Sequence, residues 1–233
     1  MCKIVCVYKT GGDFDAGYVK ALHQACRKYT GIDFEFVCLT DDSKFMGSDK
    51  SGIHFVRLKN KYAGWWSKIE AFKVTGPVLY LDLDTVIVSD LKKYLSYIKN
   101  MGSNEMLMLK PFNENNAMWA SGIMGWNGDH SFLEADFPFW RALYEKHNDQ
   151  IYISERLISR RIFVKEVQPE IGGVYSFKRF CRENGLPKDA KIVCFHGHPR
   201  PHEVTHINWV KTNWNPLHCG GYIPKNCKEV VCR

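Results

Sequence analysis

Leu79-Tyr80-Leu81-Asp82-Leu83-Asp84-Thr85-Val86-Ile87-Val88 places two carboxylates, one residue apart, inside an apolar, β-type run. Side chains at i and i+2 of a strand share a face, roughly 6–7 Å apart. A carboxylate in apolar surroundings is costly unless something replaces its lost hydration, and a pair raises that cost. An oxygen-binding divalent cation, Mg²⁺ or Mn²⁺, is one remedy. The plainer reading ends the strand at Asp82 and lets Asp84 cap the following turn. Leu and Val on both sides argue against a solvated turn.

Outward from this stretch, strand-like runs over 4–8, 34–39, 53–57, 78–82, 106–109 and 192–195 alternate with helix-like segments. Those helices fall over 16–29, 66–74, 91–98, 132–146 and 151–160. Such alternation predicts an α/β fold. Val19, Leu22, His23 and Cys26 recur at helical spacing and would face a sheet. Turn signals sit between the runs, at Gly11-Gly12, Asp41-Asp42-Ser43, Asn60 and Gly76-Pro77. No repeat, low-complexity tract or linker interrupts the chain, so a single domain over 1–233 is expected.

A content of 45% hydrophobic and 24% charged residues supports a sizeable core and argues against disorder. No apolar run approaches the roughly 20 residues that span a bilayer. The apolar start over residues 1–7 is too short for a secretory signal and reads as a first buried strand, so a cytoplasmic location is expected. Nine cysteines, several within apolar strands (Cys6, Cys38, Cys194), suit reduced, buried thiols better than a disulfide framework. A zinc site from His218, Cys219, Cys227 and Cys232 is conceivable, but the spacing lacks a Cys-x-x-Cys knuckle.

Charge is uneven. Residues 1–154 carry 18 Lys/Arg against 18 Asp/Glu, and residues 155–233 carry 14 against 7, so the whole formal +7 lies in the last third. That is either a solvated basic surface or a face that meets phosphates. Ligands of open α/β sheets gather beyond the C-terminal ends of the strands. Tyr8 with its following loop, the loop at Thr40-Asp41-Asp42, and the Asp82/Asp84 pair all fall there. Neither a Gly-x-Gly-x-x-Gly fingerprint nor a Walker phosphate loop is present, which disfavours dinucleotide cofactors and ATP hydrolysis.

Four blocks in order resemble the GT-A glycosyltransferases, and within them the retaining, metal-dependent group that includes glycogenin and the bacterial galactosyltransferases. The first joins residues 4–10 with 36–42. The second is Gly64-Trp65-Trp66-Ser67-Lys68-Ile69-Glu70 followed by Tyr80-Leu81-Asp82-Leu83-Asp84. The third is Asp149-Gln150, and the fourth Phe195-His196-Gly197-His198-Pro199-Arg200-Pro201. The resemblance implies a Rossmann-like nucleotide-sugar domain with a mixed sheet and helices on both faces. Residues 1–154 would form the nucleotide-sugar core and 155–233 a basic, acceptor-side part.

It implies further a nucleoside-diphosphate sugar, UDP-linked in the nearest group, held near Tyr8, Lys9, Thr10, Thr40 and Asp41. Mn²⁺ or Mg²⁺ would sit on Asp82 and Asp84, around Leu83, and bridge the diphosphate. Lys68 would add a cation, and Arg200, after Gly197, would contact the diphosphate. Ser121-Gly122 match the segment lining the donor sugar, and Asp149-Gln150 lie by the anomeric carbon. Asp149 could equally N-cap the helix over 151–160. The family's pattern of His, two residues, Gly, two residues, Lys/Arg-Pro puts Cys194 where its histidine belongs. His196 is therefore the candidate third metal ligand, with His198 as the alternative. Retention of configuration is implied by the resemblance alone.

The acceptor hydroxyl is less defined. A basic last third with Trp209, Lys211, Asn213, Trp214 and clustered histidines suggests tracking a phosphate backbone and stacking a base. That, with a short chain like compact phage-type members of the fold, points to a hydroxymethylated pyrimidine base in phage DNA, flipped to be reached. The cytoplasm would then be the host's. A saccharide or lipid-linked glycan is the rival acceptor. A non-catalytic nucleotide- or metal-binding module is the rival class.

Overall fold

The computed structural model describes residues 1–45, 51–113, 118–144 and 146–214. Among the described residues, ten strands form two sheets: β1 (Cys2–Tyr8), β2 (Phe34–Thr40), β3 (Ile53–Arg57), β4 (Gly76–Leu81), β5 (Thr85–Ile87), β6 (Glu105–Leu109), β7 (Ala120–Gly128), β8 (Phe163–Glu166), β9 (Val174–Ser176) and β10 (Ile192–Cys194). Seven make a central sheet in the order β3-β2-β1-β4-β7-β6-β8, and three make a small sheet in the order β5-β10-β9. β1 pairs in parallel with β2 and β4, and β2 with β3; β7 runs antiparallel between β4 and β6, and β8 is parallel to β6. The expected α/β architecture with a mixed central sheet is what the chain adopts.

Both faces of that sheet are apolar because its strands alternate between two cores. Ile4, Cys6, Leu79 and Leu81 face one core, shared with α1 (Ala16–Thr30), α2 (Lys92–Lys99) and the small sheet. Val5, Val78, Tyr80, Met106 and Met108 face the other, shared with a 3₁₀ helix (Gly64–Lys73), α3 (Phe132–Tyr144) and α4 (Asp149–Ser159). α1 starts at Asp15, whose carboxylate accepts from the Gly17 amide at 2.8 Å, and stops at Gly31 in the left-handed region (φ 62°). Its Val19, Leu22, His23 and Cys26 are buried as expected. Cys2, Cys6, Cys26, Cys38, Cys181 and Cys194 are free, buried thiols. His218, Cys219, Cys227 and Cys232 lie outside the described residues. Among the described residues no helix is long and apolar enough to cross a membrane.

Four expectations change. The stretch around Asp82 is two strands in two sheets, so Asp82-Leu83-Asp84 is the turn joining them rather than one strand face. β7, a central strand, was read from sequence only as a sugar-lining segment. Asp149 does not cap its helix: Asn148 does, accepting from the Ile151 amide at 3.1 Å, which leaves the Asp149 carboxylate for other partners. Trp209 and Trp214 are not open stacking surfaces. Trp214 is buried with its ring 4.9 Å from that of Tyr18, and Trp209 packs on Phe177 and Phe195. Apolar contact with α1 and the small sheet outcompetes exposure for both indoles.

Candidate active site

The turn gives its two carboxylates different partners. The Asp82 amide donates to the Gly122 carbonyl (2.9 Å) and the Thr85 amide to the Asp82 carbonyl (3.2 Å), while Phe195 N–H reaches the Asp84 carbonyl (3.1 Å). Leu83 is buried between them. Asp82 keeps the parity of Val78 and Tyr80 and so faces the layer of the 3₁₀ helix and α4. There Lys68 Nζ lies 3.0 Å from both carboxylate oxygens of Asp82, 3.1 Å from Asp149 Oδ2 and 2.9 Å from Ser121 Oγ. Ser121 Oγ donates in turn to Asp149 at 2.5 Å, and Tyr80 OH to Asp82 at 2.8 Å. Gly122 stands against this cluster: a β-carbon there would sit 3.5 Å from Asp82 Oδ2.

Lys68 and Asp149 are almost fully buried. Burial works to lower the Lys68 pKa, but the Asp149 and Asp82 carboxylates outweigh it and hold the ammonium charged well above its ordinary range. Burial pushes the Asp82 carboxyl up, with Asp84 and Asp149 adding to the push and Lys68 opposing it. One lysine thus serves two carboxylates, leaving a buried net negative charge that faces the turn.

Asp84 is held by an arginine instead. Its Oδ2 is ion-paired to Arg200 Nη1, and Arg200 Nη2 holds Asp13 at 2.8 Å with the guanidinium 4.6 Å above the Phe14 ring. Arg200 Nε is buried and, among the described residues, has no hydrogen-bond partner. The Arg200 hydrogen bond and charge hold the Asp13 carboxyl below its usual range. Asp13 and Phe14 come from the loop after β1, which fixes the arginine across the mouth of the site.

At the ends of β1 and β2, Lys9 Nζ binds Asp41 at 2.6 Å, and Thr10 donates to Asp41 from its amide (2.8 Å) and hydroxyl (3.0 Å). Partial burial raises the Asp41 carboxyl, but these hydrogen bonds more than reverse it. Thr40 is buried, its hydroxyl accepting from the Asp42 amide at 3.1 Å, and Tyr8 is buried beside Phe45. The predicted base-binding residues therefore form one rigid ledge. Gln150 is half-buried beside Asp149 at the start of α4.

His196 is turned elsewhere. Its Nε2 lies 2.6 Å from Ser176 Oγ and its ring stacks on Phe112 (centroids 5.5 Å apart, 17° between planes). Burial, then Lys178 and Arg179, lower its pKa to about 4, so the imidazole is neutral at pH 7. His198 is exposed, with Nδ1 2.9 Å from Glu203, which also caps the Arg200 amide. Gly197 (φ 94°) is needed between them, since a side chain there would be strained and its β-carbon would sit 3.1 Å from Lys178 Nζ.

Among the described residues, no three His, Cys, Asp or Glu side chains lie together as a metal-ligand group. The oxygen donors of Asp82 and Asp84 still fit a hard divalent cation, which is commonly held by one or two carboxylates with substrate phosphates completing the shell. The imidazole of His196 does not converge on them, because Ser176 and Phe112 hold it. His196→Ala is accordingly expected to change Mn²⁺ affinity by less than about two-fold in a titration of the donor-loaded protein. A loss of ten-fold or more, the size typical of removing a partner near a metal, would return His196 to the ligand set.

Several residues at the site were not anticipated from sequence. Tyr80 was findable, being two residues before Asp82 on the same strand face. Asp13, Phe14, Ser176 and Lys178 arrive through tertiary packing, and no local pattern marks them.

No family model and no curated protein matches this sequence. Solved structures do match its fold. The galactosyltransferase LgtC, in complex with donor and acceptor sugar analogs, superposes with a TM-score of 0.61 at 10% identity, over 96% of this chain and 98% of LgtC. The glycosyltransferase GlyE of Streptococcus pneumoniae TIGR4 gives 0.61 at 11% identity, over 86% of this chain and 56% of GlyE. The bifunctional glycosyltransferase WbbM gives 0.54 at 12% identity, over 86% of this chain and 46% of WbbM. The chain thus spans little more than half the length of GlyE. Its fold is the GT-A fold of these glycosyltransferases.

Proposed function

We propose that the chain is a glycosyltransferase that moves a sugar from a nucleoside diphosphate, UDP in the first instance, to an acceptor hydroxyl. The observation that carries this reading is the charged cluster at the β4–β5 turn. Lys68, Asp82, Asp149 and Ser121 meet on one side, Asp84 and Arg200 on the other. Glycosyl transfer develops negative charge on the leaving diphosphate, and preorganised cations are the main means of stabilising it.

The roles follow from placement. The ledge of Tyr8, Lys9, Thr10, Thr40 and Asp41 holds the nucleoside. Asp82 and Asp84 hold a Mn²⁺ or Mg²⁺ ion, which when bound supplies Lewis-acid stabilisation of the diphosphate. Arg200 must leave Asp84 as that site fills, and its orphaned Nε–H gains an acceptor when the guanidinium swings onto a phosphate. Lys178, half-buried against Gly197, adds a second cation from the same side. Ser121 and Gly122 line the sugar, with Asp149 and Gln150 beside its anomeric carbon. Lys68 fixes the orientation of Asp82 and Asp149 rather than meeting the phosphates itself. Retaining stereochemistry follows the resemblance to the glycogenin-like group.

For the acceptor we favour a hydroxymethylated pyrimidine base in phage DNA, on the net charge of +7. The test is nucleotide release in Mn²⁺ from a panel of nucleoside-diphosphate sugars. Each donor is run alone, with hydroxymethylcytosine DNA, and with simple saccharides. Release stimulated by the DNA, with a matching mass gain on the base, is the expected result. Stimulation by a saccharide only would discard the DNA acceptor and keep the transferase. Donor binding without turnover under every condition would favour a binding module. Asp82→Ala and Asp84→Ala are each expected to abolish metal-dependent donor binding in calorimetry.

A further inference from the structure

α3 carries apolar side chains on its outer face as well as its inner one. Leu133, Phe137 and Tyr144 point into the core. Ala135, Pro138, Phe139, Ala142 and Leu143 follow the i, i+3, i+4, i+7, i+8 spacing of a single helix face, and all five are exposed. Phe139 is 87% and Leu143 62% exposed, with Trp140 beside them at 39%. Among the described residues of α3 the one exposed charge is Arg141, which turns toward Tyr62, 5.7 Å from its ring. A helix that is apolar on both faces belongs to a covered position.

The border of this face toward α4 is cationic. The Arg160 guanidinium stands 5.4 Å over the Phe132 ring at the start of α3, and that of Arg156 5.0 Å over the Trp140 ring two turns on. Between them Asp136 accepts from both, 2.5 Å from Arg156 Nη2 and 2.9 Å from Arg160 Nη2. One carboxylate thus serves two guanidiniums, and the Arg160 side chain stays half exposed. Arg161 follows, also exposed, and then Phe163, 67% exposed on the edge strand β8. The remaining carboxylates of α3 and α4 are engaged or buried: Glu134 by Lys73 (2.8 Å), Glu155 by the Tyr144 hydroxyl, and Asp149 in the active-site cluster. The border therefore keeps a net positive charge.

An apolar face with an arginine border selects its occupant by charge. A second copy docked here would meet the border with arginines of its own, and neither α3 nor α4 brings an unengaged carboxylate to answer them. A polyphosphate chain would satisfy the arginines and leave Phe139 and Leu143 in water. An anionic bilayer satisfies both sets. Bulky apolar side chains enter the boundary between headgroups and acyl chains, and the guanidiniums meet lipid phosphates. It also needs no matching groove, which suits side chains that project from a convex helix.

We propose that the outer face of α3 is a peripheral docking surface for an anionic phospholipid bilayer. Phe139, Trp140 and Leu143 enter the bilayer interface, and Arg160 and Arg161 meet its phosphates. Such docking needs no membrane-crossing helix, and it rests on neither the donor nor the acceptor assigned above.

Co-sedimentation of the full chain with vesicles tests it, using phosphatidylcholine alone and two parts phosphatidylcholine to one part phosphatidylglycerol. Wild type should pellet with the anionic vesicles, less so as salt rises. The double variant Phe139→Asp, Leu143→Asp should bind them roughly 10- to 100-fold more weakly, the size expected from withdrawing two bulky apolar side chains. Arg161→Asn should lose about 5-fold on anionic vesicles and leave binding to phosphatidylcholine unchanged. Because all three side chains are exposed, melting temperature and UDP calorimetry should not move. Wild type that stays in the supernatant with anionic vesicles overturns the proposal, as does equal binding by wild type and the double variant. A dimer in analytical ultracentrifugation that the double variant dissociates, without vesicle binding, overturns it in favour of a second copy. Vesicle binding that needs Phe139 and Leu143, in a protein that releases no nucleotide from any donor, sustains this inference and fails the transferase reading.

Discussion

Lys68→Met is expected to lower stability at pH 7 by about 3–5 kcal/mol, the range for removing one partner of a buried ion pair. In a chain of 233 residues that is a fall in melting temperature on the order of 10 °C. Methionine fills the volume of the lysine stem, so the loss comes from the carboxylates and not from a cavity. Asp149 is almost fully buried and keeps only the Ser121 hydroxyl; Asp82 keeps only that of Tyr80. Without the ammonium, the Asp82 carboxyl loses the main charge that opposes burial and its neighbouring carboxylates, and is pushed further up. A folded-state pKa above the unfolded value of about 3.9 contributes stability that is present at low pH and lost as pH rises through the folded pKa. The deficit of Lys68→Met relative to wild type should therefore shrink as pH falls from 7 toward 5. Thermal melts across that range check it. A deficit that is flat with pH would mean that packing, not charge, makes Lys68 matter.

That lysine shows how far the sequence could be read. Its type and its distance from Asp82 marked it as a cation for the site, and the structure places it there. Its second partner was not legible, because nothing local says that Asp149, 81 positions later, closes on its other side. The parallel strands were legible, since β1, β2 and β4 are mostly buried on both faces and so read as largely apolar runs. β7 was not. Three glycines in nine residues break up the apolar run that marks a strand, yet at Gly125 the Ile98 side chain of α2 packs where a β-carbon would be, 2.7 Å away. The Asp82/Asp84 pair was legible as chemistry and misread as geometry. Period-two spacing promised one face, but the chain changes sheets between the two residues. That change sends Asp82 to Lys68 and Asp84 to Arg200. Trp214 failed for a related reason: an aromatic beside lysines looks the same in sequence whether it faces water or, as here, Tyr18.

On the proposed glycosyltransferase function, Arg200→Ala is expected to cut turnover by about 10²–10³-fold, the loss typical of removing one preorganised group that stabilises developing charge. The Arg200 side chain is 13% exposed, and its guanidinium bridges Asp84 to Asp13 across the mouth of the site. Among the described residues its buried Nε–H has no acceptor. A diphosphate beside Asp84 offers the missing acceptor and a second oxygen for the fork. Turnover should therefore fall more than nucleotide affinity, because the charge met by the arginine is largest as the sugar departs. Arg200→Lys should restore only part of the loss: an ammonium supplies the charge but not the two parallel N–H groups. Steady-state kinetics of all three proteins with a saturating donor, alongside UDP calorimetry, separate these effects. Equal losses in affinity and turnover would make Arg200 a ground-state anchor. A fully active lysine variant would show that charge alone is needed at that position.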